Sequence, residues 1–234
     1  LGGNAPFIVF EDADIDEAVK GCLNAKFRNA GQTCVCPNRI IVHKDVIDEF
    51  GKKLAKEVSK FKIGDTLDDE NDVGPLISET GLNKTEEHIK DAISKGGKLL
   101  IGGKRAEFKD PKLSKYYYEP TVVTNLPRSA IIQFEETFGP FAGLIPFETE
   151  EEALDIANDT VHGLASYFFT KSYSRILRFS RAIESGMVGI NSGLISAENI
   201  PFGGIKESGT GREGGSTGID EYLNLKYVAI GIHD

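Results

Sequence analysis

Residues 27–36 read Phe27-Arg28-Asn29-Ala30-Gly31-Gln32-Thr33-Cys34-Val35-Cys36, and they connect a predicted helix, Ile15–Lys26, to a predicted strand at 39–43. An acidic capping residue precedes the helix. The strand is predicted from its β-branched residues, and a short apolar run at 7–10 predicts a buried strand before the helix. A strand, a helix and a second strand in this order are typical of parallel strands joined by a crossover. Residues 27–36, the cysteine loop, lie within this unit.

The same alternation of strands and helices continues along the chain. Further helices are predicted at 46–61, 79–95, 149–157 and 172–183, and further strands at 98–101, 121–124, 131–134, 144–147, 164–170 and 187–191. This order predicts a three-layer α/β domain, residues 1–218, whose largely parallel sheet is flanked by helices. Residues 222–230 alternate with period two and no helix follows them, so we predict a C-terminal oligomerisation strand within 219–234.

The composition limits the kinds of partner. The chain has 234 residues and a formal charge of −9, which argues against a nucleic-acid partner because phosphate repels an acidic surface. No apolar run approaches the roughly 20 residues of a membrane span. Three cysteines in a chain of this size favour a reducing compartment over a disulfide framework.

Cys34 is the candidate reactive group. A cysteine on a glycine-containing loop after a helix can present its sulfur to a cleft, but it is nucleophilic only as a thiolate and needs a nearby base, cation or dipole. On these residues alone, a buried and inert thiol remains an alternative. Cys22 is interpreted as a small core residue within the predicted helix. No zinc site is expected, since Cys34 and Cys36 would need two more ligands and the four histidines are scattered.

Two distant motifs change the interpretation of the cysteine loop. They are Glu-Glu-Thr-Phe-Gly-Pro at 135–140 and Pro-Phe-Gly-Gly-Ile-Lys-Glu-Ser-Gly at 201–209. Together with Leu-Gly-Gly-Asn at 1–4 and the cysteine loop, they resemble the aldehyde dehydrogenase superfamily over the whole chain. Gly-Leu-Ile-Ser at 193–196 and Glu-Tyr-Leu-Asn-Leu-Lys-Tyr at 221–227 point, within it, to the succinate-semialdehyde dehydrogenases.

The resemblance implies a covalent mechanism. The thiolate of Cys34 would attack an aldehyde to form a thiohemiacetal, whose oxyanion is held by the Cys34 backbone amide and an asparagine. Loss of hydride to NAD or NADP would leave a thioester, which a glutamate-activated water hydrolyses. Glu136 would accept hydrogen bonds from the nicotinamide ribose, and Phe138 would pack on the cofactor.

The resemblance also implies a substrate. Arg28 and Ser196 match positions that hold the substrate carboxylate, and a guanidinium suits this task because it is planar and permanently charged. Phe202 would line the aldehyde pocket. The expected partner is therefore a small aldehyde with a distal carboxylate, such as succinate semialdehyde, with glutarate semialdehyde as the alternative.

Cys36 has two interpretations. In succinate-semialdehyde dehydrogenases the pair formed by Cys34 and Cys36 resembles a redox switch, in which oxidation blocks the nucleophile. A disulfide between cysteines separated by one residue would be strained and readily reduced. The alternative is that Cys36 is a passive neighbour.

The family places its general-base glutamate immediately before Leu-Gly-Gly, and its oxyanion asparagine and dinucleotide-binding domain earlier still. No Gly-x-Gly-x-x-Gly follows a predicted strand here. We therefore expect a catalytic domain that lacks the cofactor domain and is inactive alone. In the whole enzyme it would form a dimer or tetramer, in the cytoplasm or the mitochondrial matrix.

Two alternative interpretations of the chain's function remain open at this point. The first is an isolated domain that folds and associates but does no chemistry. The second is a cysteine hydrolase or acyltransferase, which would need a histidine close to Cys34.

Overall fold

The computed structural model describes residues 2–108, 113 and 115–232. Its strands are β1 Ala5–Val9, β2 Pro37–His43, β3 Lys98–Ile101, β4 Thr121–Thr124, β5 Phe141–Phe147, β6 His162–Gly163, β7 Ala165–Phe169, β8 Met187–Ile190 and β9 Ile205–Lys206. Its α-helices are α1 Ile15–Lys26, α2 Ile47–Val58, α3 Glu79–Ser94, α4 Glu150–Asn158 and α5 Tyr173–Ala182.

Seven of these strands form one sheet in the order β3-β4-β5-β2-β1-β7-β8. Every neighbouring pair is parallel except β3 and β4, which are antiparallel. At the centre, Ile8 of β1 aligns with Ile41 of β2 on one side and with Phe168 of β7 on the other. The separate pair of β6 and β9 is antiparallel. The predicted largely parallel sheet is confirmed.

Helices cover both faces of the sheet. Side chains of α1 and α2 pack with Phe7 and Val9 of β1 in one hydrophobic cluster. Side chains of α3, α4 and α5 pack with Ile8 in a second cluster on the opposite face. Since successive residues of a strand point to opposite faces, each central strand is buried on both sides, and β1 and β5 are continuous apolar runs. The predicted three-layer arrangement follows from this burial.

Arg39 of β2 ties the start of β1 to the end of α4. Its side chain is fully buried, and its guanidinium donates to the carbonyl oxygens of Asn4, Ile156 and Ala157 at 2.6–3.1 Å. The last carbonyls of a helix carry partial negative charge, so they are suitable partners for a cation. Burial lowers the pKa of Arg39 to about 9. The segment that leads into β1 is therefore held in place by a buried charge.

Ser208 joins the motif at 201–209 to the segment that precedes β1. Its hydroxyl donates to the carbonyl oxygen of Gly2 at 2.7 Å and accepts from the backbone N–H of Gly163 at 3.0 Å. These contacts bring the motif at 201–209 to the same edge of the sheet as the start of β1.

The strand predicted at 131–134 is wrong. Ile131–Gln133 is a short 3-10 helix. Its first N–H donates to the carboxylate of Asp91 at 2.8 Å, and the carbonyl of Ile132 accepts from the Asn38 carboxamide at 3.0 Å. Four apolar or long residues in a row have the composition of a strand, but these backbone groups are bonded by side chains instead of by a neighbouring strand.

The C-terminal strand stays a prediction. Within the described part of the tail, 223–232 is exposed and forms no strand in the single chain, after a 3-10 helix at Asp220–Tyr222. Leu225, Tyr227 and Ile230 are all more than three-quarters exposed. A single chain offers this tail no partner strand, so the predicted pairing between subunits is not tested, and residues 233 and 234 lie outside the described ones.

Neither a membrane span nor a metal cluster is found in the described ranges. None of their helices combines the length and the hydrophobicity needed to cross a bilayer. The same ranges contain no group of three or more His, Cys, Asp and Glu side chains placed to hold a metal ion.

Candidate active site

The cysteine loop begins with a left-handed turn. Asn29, Ala30 and Gly31 have φ angles of 53°, 54° and 76°. A non-glycine residue in this region costs about 1–2 kcal/mol, so two of these three positions are strained. A Cβ atom added to Gly31 would overlap the carbonyl group of Gly139. The turn therefore places the loop directly against the motif at 135–140. A larger residue at position 31 would prevent this close approach.

Cys34 lies where three separate segments of the chain meet. A Cβ atom added to Gly3 would overlap the carbonyl oxygen of Cys34, so the segment before β1 packs on the cysteine backbone. Cys34 is half-buried, and it packs against the same hydrophobic cluster as Ile195 and Phe202. Phe202 is fixed by two backbone hydrogen bonds of 2.7 Å with Glu213. The predicted nucleophile and the predicted pocket aromatic thus pack against the same hydrophobic cluster.

The thiol of Cys34 is not activated in this structure. Burial raises its pKa, and the nearby carboxylate of Glu136 raises it further, while its own backbone N–H opposes both by donating to the sulfur. A cysteine with a raised pKa is protonated at neutral pH. Attack on an electrophile therefore needs a base that takes the thiol proton.

Glu136 is a partly buried carboxylate held beside the start of β1. It accepts a hydrogen bond from the backbone N–H of Gly3. Burial raises the pKa of Glu136 to about 7, and the positive charges of Lys26 and Lys84 oppose that rise. The carboxylate and the thiol of Cys34 interact electrostatically, so the structure brings these two predicted site residues together.

Lys26 is a buried cation that sequence reasoning treated only as a helix end. It closes α1 and is 1% exposed. Burial lowers its pKa, and the thiols of Cys36 and Cys22 and the carboxylate of Glu136 raise it. Among the described residues its ammonium has no hydrogen-bond partner. Lys26 follows Cys22 by four residues, so it lies on the buried face of the helix, and that spacing was the available signal.

Phe138 lies at the edge of an open cavity of about 670 Å³. Its backbone is left-handed, with φ 57°, and its ring is 39% exposed. Asn29 and Gln32 of the cysteine loop line the same cavity. The side chain of Gln32 accepts a hydrogen bond from the N–H of Ile77 at 2.8 Å, which fixes the far wall. Phe138 therefore shares a cavity with one end of the cysteine loop.

Arg28 is exposed at the start of the left-handed turn and lines a smaller cavity of about 300 Å³ together with Leu194 and Asp72. Its charge lowers the pKa of the Tyr167 hydroxyl, which burial raises, so the guanidinium is close to that group. Ser196 is exposed on the loop after β8, two positions beyond Leu194. In the described residues it makes no hydrogen bond with Arg28, and it does not line the cavity that Arg28 lines.

Cys36 points away from solvent. It is 5% exposed, and its sulfur lies 2.8 Å from the Thr33 hydroxyl and 3.6 Å from the Lys26 carbonyl oxygen. Cys22, Cys34 and Cys36 are all free thiols. The redox role of Cys36 therefore stays a prediction.

Comparison with known proteins identifies the family. The family model described as "Aldehyde dehydrogenase family" matches residues 1–228. The chain belongs to this family. It is 53% identical over 231 residues to the mitochondrial succinate-semialdehyde dehydrogenase of Oryza sativa subsp. japonica, covering 99% of this chain and 43% of the relative. It is 52% identical over 232 residues to the glutarate-semialdehyde dehydrogenase of Pseudomonas putida, covering 99% and 47%.

Solved aldehyde dehydrogenase structures support the fold. A crystal structure described as an E. coli NADP dependent enzyme superposes with a TM-score of 0.95 at 51% identity, covering 99% of this chain and 47% of that one. The chain thus spans less than half the length of the relatives that it matches. The agreement is with their architecture over that part.

We predict that Glu136→Gln will stabilise the chain at pH 8 more than at pH 5. Because the pKa of Glu136 is about 7 in the folded chain and 4.5 in its ordinary state, the folded chain binds more protons between these values. Its stability therefore falls as the pH rises through that window. Glutamine has no charge to bury. Urea unfolding of both proteins at the two pH values measures the difference, and an equal difference at both would contradict the prediction.

Proposed function

We propose that this chain is the catalytic domain of an NAD- or NADP-dependent enzyme that oxidises succinate semialdehyde to succinate. The observation that carries the proposal is the packing of the segment before β1 on the backbone of half-buried Cys34, together with the packing of the motif at 135–140 against the same cysteine loop at Gly31. The family membership and the name of the rice relative support the same chemistry. Below, "complete enzyme" means a protein that contains this chain and also the region of the relatives that this chain does not cover.

Cys34 is the proposed nucleophile. Its proton passes to a base, and its sulfur bonds to the aldehyde carbon to form a thiohemiacetal. The backbone N–H of Cys34, which donates to the free thiol, is then available to the new oxyanion. Loss of a hydride from the thiohemiacetal carbon would leave a thioester. Water then cleaves the bond between the sulfur and the acyl carbon, which releases the carboxylic acid and restores the thiol.

Glu136 and Phe138 are the proposed cofactor residues of this chain. Glu136 keeps part of its carboxylate accessible while Gly3 holds the rest, and Phe138 presents a ring to an open cavity, so the two fit a ribose and a flat ring system. When bound, the nicotinamide supplies the acceptor for the hydride lost by the substrate carbon. The similarity to an NADP dependent enzyme favours NADP, with NAD as the alternative.

Arg28 is the proposed partner of the substrate carboxylate. It is the cation that lines the cavity of about 300 Å³ beside Leu194. Ser196 is proposed to complete this contact from the loop after β8. Glutarate semialdehyde is the second candidate substrate, because the P. putida relative carries that name.

The terminal residues and the compartment belong to the same proposal. The exposed tail within 219–234 would add a strand to a second subunit, giving a dimer or a tetramer. Strand β8 is an edge of the large sheet and offers a place for such a strand. The proposed compartment is the cytoplasm, with the mitochondrial matrix as the alternative that the name of the rice relative favours.

An assay of the complete enzyme and of this chain alone tests the function. With succinate semialdehyde and NADP⁺ or NAD⁺, the complete enzyme should reduce the cofactor, and the present chain should not. Cys34→Ser should abolish that activity. Ester hydrolysis without cofactor reduction would favour a cysteine hydrolase, and no activity in either protein would contradict the proposal.

We predict that Arg28→Ala in the complete enzyme will weaken recognition of the substrate carboxylate by about 2–3 kcal/mol, since a hydrogen bond between charged groups is lost. The measurement is kcat/KM for succinate semialdehyde relative to butanal, which has no carboxylate. Arg128→Ala is the control, because Arg128 is an exposed arginine that lies 3.7 Å from Asp159. An unchanged ratio in the Arg28 variant would exclude this role.

We predict that mild peroxide will inactivate the complete enzyme with the loss of two thiols from this chain, and that dithiothreitol will restore both. Oxidation of Cys34 and Cys36 to a disulfide requires the Cys36 sulfur to leave Thr33. Cys36→Ala should lose the reversibility, whereas Cys22→Ala, at a fully buried thiol, should keep it. Equal peroxide sensitivity and recovery in the Cys36 variant would count against the switch.

A further inference from the structure

The segment that carries Glu136 has few backbone partners. Residues 131–138 form one 3-10 turn followed by irregular backbone, with no strand beside them. Phe134 is 56% exposed, and Phe138 adopts a left-handed conformation. A segment of this kind keeps one conformation only where side chains from elsewhere bond its peptide groups. The fixed position of Glu136 therefore needs an explanation outside the segment.

One buried carboxamide holds the peptide groups on both sides of Glu136. The Nδ2 of Asn38 donates to the carbonyl oxygen of Glu135 at 2.7 Å, and its Oδ1 accepts from the N–H of Thr137 at 2.9 Å. Asn38 is 3% exposed and lies at the start of β2, between Pro37 and Arg39. The peptide groups on both sides of Glu136 are thus held by one side chain of the central strand β2.

A second carboxamide completes the arrangement. The Nδ2 of Asn38 also donates to Oδ1 of Asn4 at 2.7 Å, and Nδ2 of Asn4 donates to the carbonyl oxygen of Gln133 at 2.9 Å. Asn4 is 2% exposed, and Arg39 holds its carbonyl oxygen. The amide pair therefore couples the segment to the same buried guanidinium that fixes the start of β1.

The chemistry of this position requires an amide. Its acceptor must meet one N–H, and its donors must meet the oxygens of Asn4, Ile132 and Glu135. Asparagine supplies both kinds of atom, whereas aspartate would turn an oxygen toward three oxygens. An unsatisfied polar group in such a buried place is strongly unfavourable. Substitution should therefore move the segment.

We infer that Asn38, supported by Asn4, is a positioning residue for cofactor binding, which sets where Glu136 meets the nicotinamide ribose. This inference rests on the proposed function, because it takes Glu136 as the ribose partner. It assigns a role in the reaction to two residues that do not touch substrate or cofactor.

The test uses the complete enzyme and direct titration with NADPH and NADH. Asn38→Asp should weaken binding of the preferred cofactor by tenfold or more. Asn4→Ala, which leaves the bonds of Asn38 to Glu135 and Thr137 in place, should give an intermediate loss of affinity. If the aspartate variant does not fold, Asn38→Ser, which keeps a donor and an acceptor, replaces it in the cofactor titration.

Asn191→Gly is the matched control. Asn191 also bonds backbone groups through both carboxamide atoms, to Thr170, but at the opposite end of the sheet. Glycine accepts its φ of 51°. We expect its cofactor affinity to stay within twofold of the parent enzyme.

Glu136→Gln separates failure of the inference from failure of the proposed function. If Glu136→Gln weakens cofactor binding and the Asn38 variants do not, the positioning role is overturned alone. If Glu136→Gln has no effect, the role of Glu136 and the inference that rests on it are both overturned. In the double variant of Glu136 and Asn38, the Asn38 effect should largely disappear, and full additivity would contradict action through Glu136.

Discussion

The candidate site depends on the parallel alignment of β1, β2 and β5. The segments that precede these strands carry Gly3, Cys34 and Glu136, respectively. In a parallel sheet the amino ends of neighbouring strands lie at the same edge, so three segments that are distant in sequence meet there. Open α/β folds commonly bind ligands at the opposite, carboxyl edge. Here the approach of backbone to backbone at Gly3 and Gly31 gives the amino edge its shape.

Buried charge is the second organising feature of this edge. Arg39 bonds only carbonyl oxygens, Lys26 has no hydrogen bond to its ammonium within the described ranges, and Glu136 has a raised pKa. Isolated buried charges are unfavourable, and the proximity of Lys26 and Glu136 offsets part of that cost. The raised pKa of Glu136 shows that the compensation is incomplete. New hydrogen-bond donors at the site would therefore stabilise the charged form of the Glu136 carboxylate and lower its pKa.

The sequence predicted most of the fold because burial on both faces leaves a strong local pattern. A continuous apolar run marked β1, β-branched residues marked β2, and the residues of α2 recur at helical spacing. The run at 131–134 misled the prediction because its backbone partners are the side chains of Asp91 and Asn38, which no local pattern reveals. Such partners have no periodicity, so only the folded structure shows them.

The candidate site was predictable only in part, for the same reason. Cys34, Glu136, Phe138 and Phe202 stand in recognisable motifs, and the structure brings the first two into electrostatic contact. Asn4 and Asn38 lie 34 residues apart, and Asn4 bonds a residue 129 positions away, so neither was predicted. The shared role of Arg28 and Ser196 in holding a substrate carboxylate was expected from the resemblance and stays a prediction.

The contact of Ser208 with Gly2 bridges 206 positions, and it sets an order of events during protein synthesis. Strand β1 is synthesised before the other strands of the large sheet, yet it is central in that sheet and must wait for β7 on one side. Contacts between such distant residues form slowly, and partly folded chains expose apolar surface in the meantime. The edge of the sheet that carries Cys34 is therefore completed only after residue 208 has been translated.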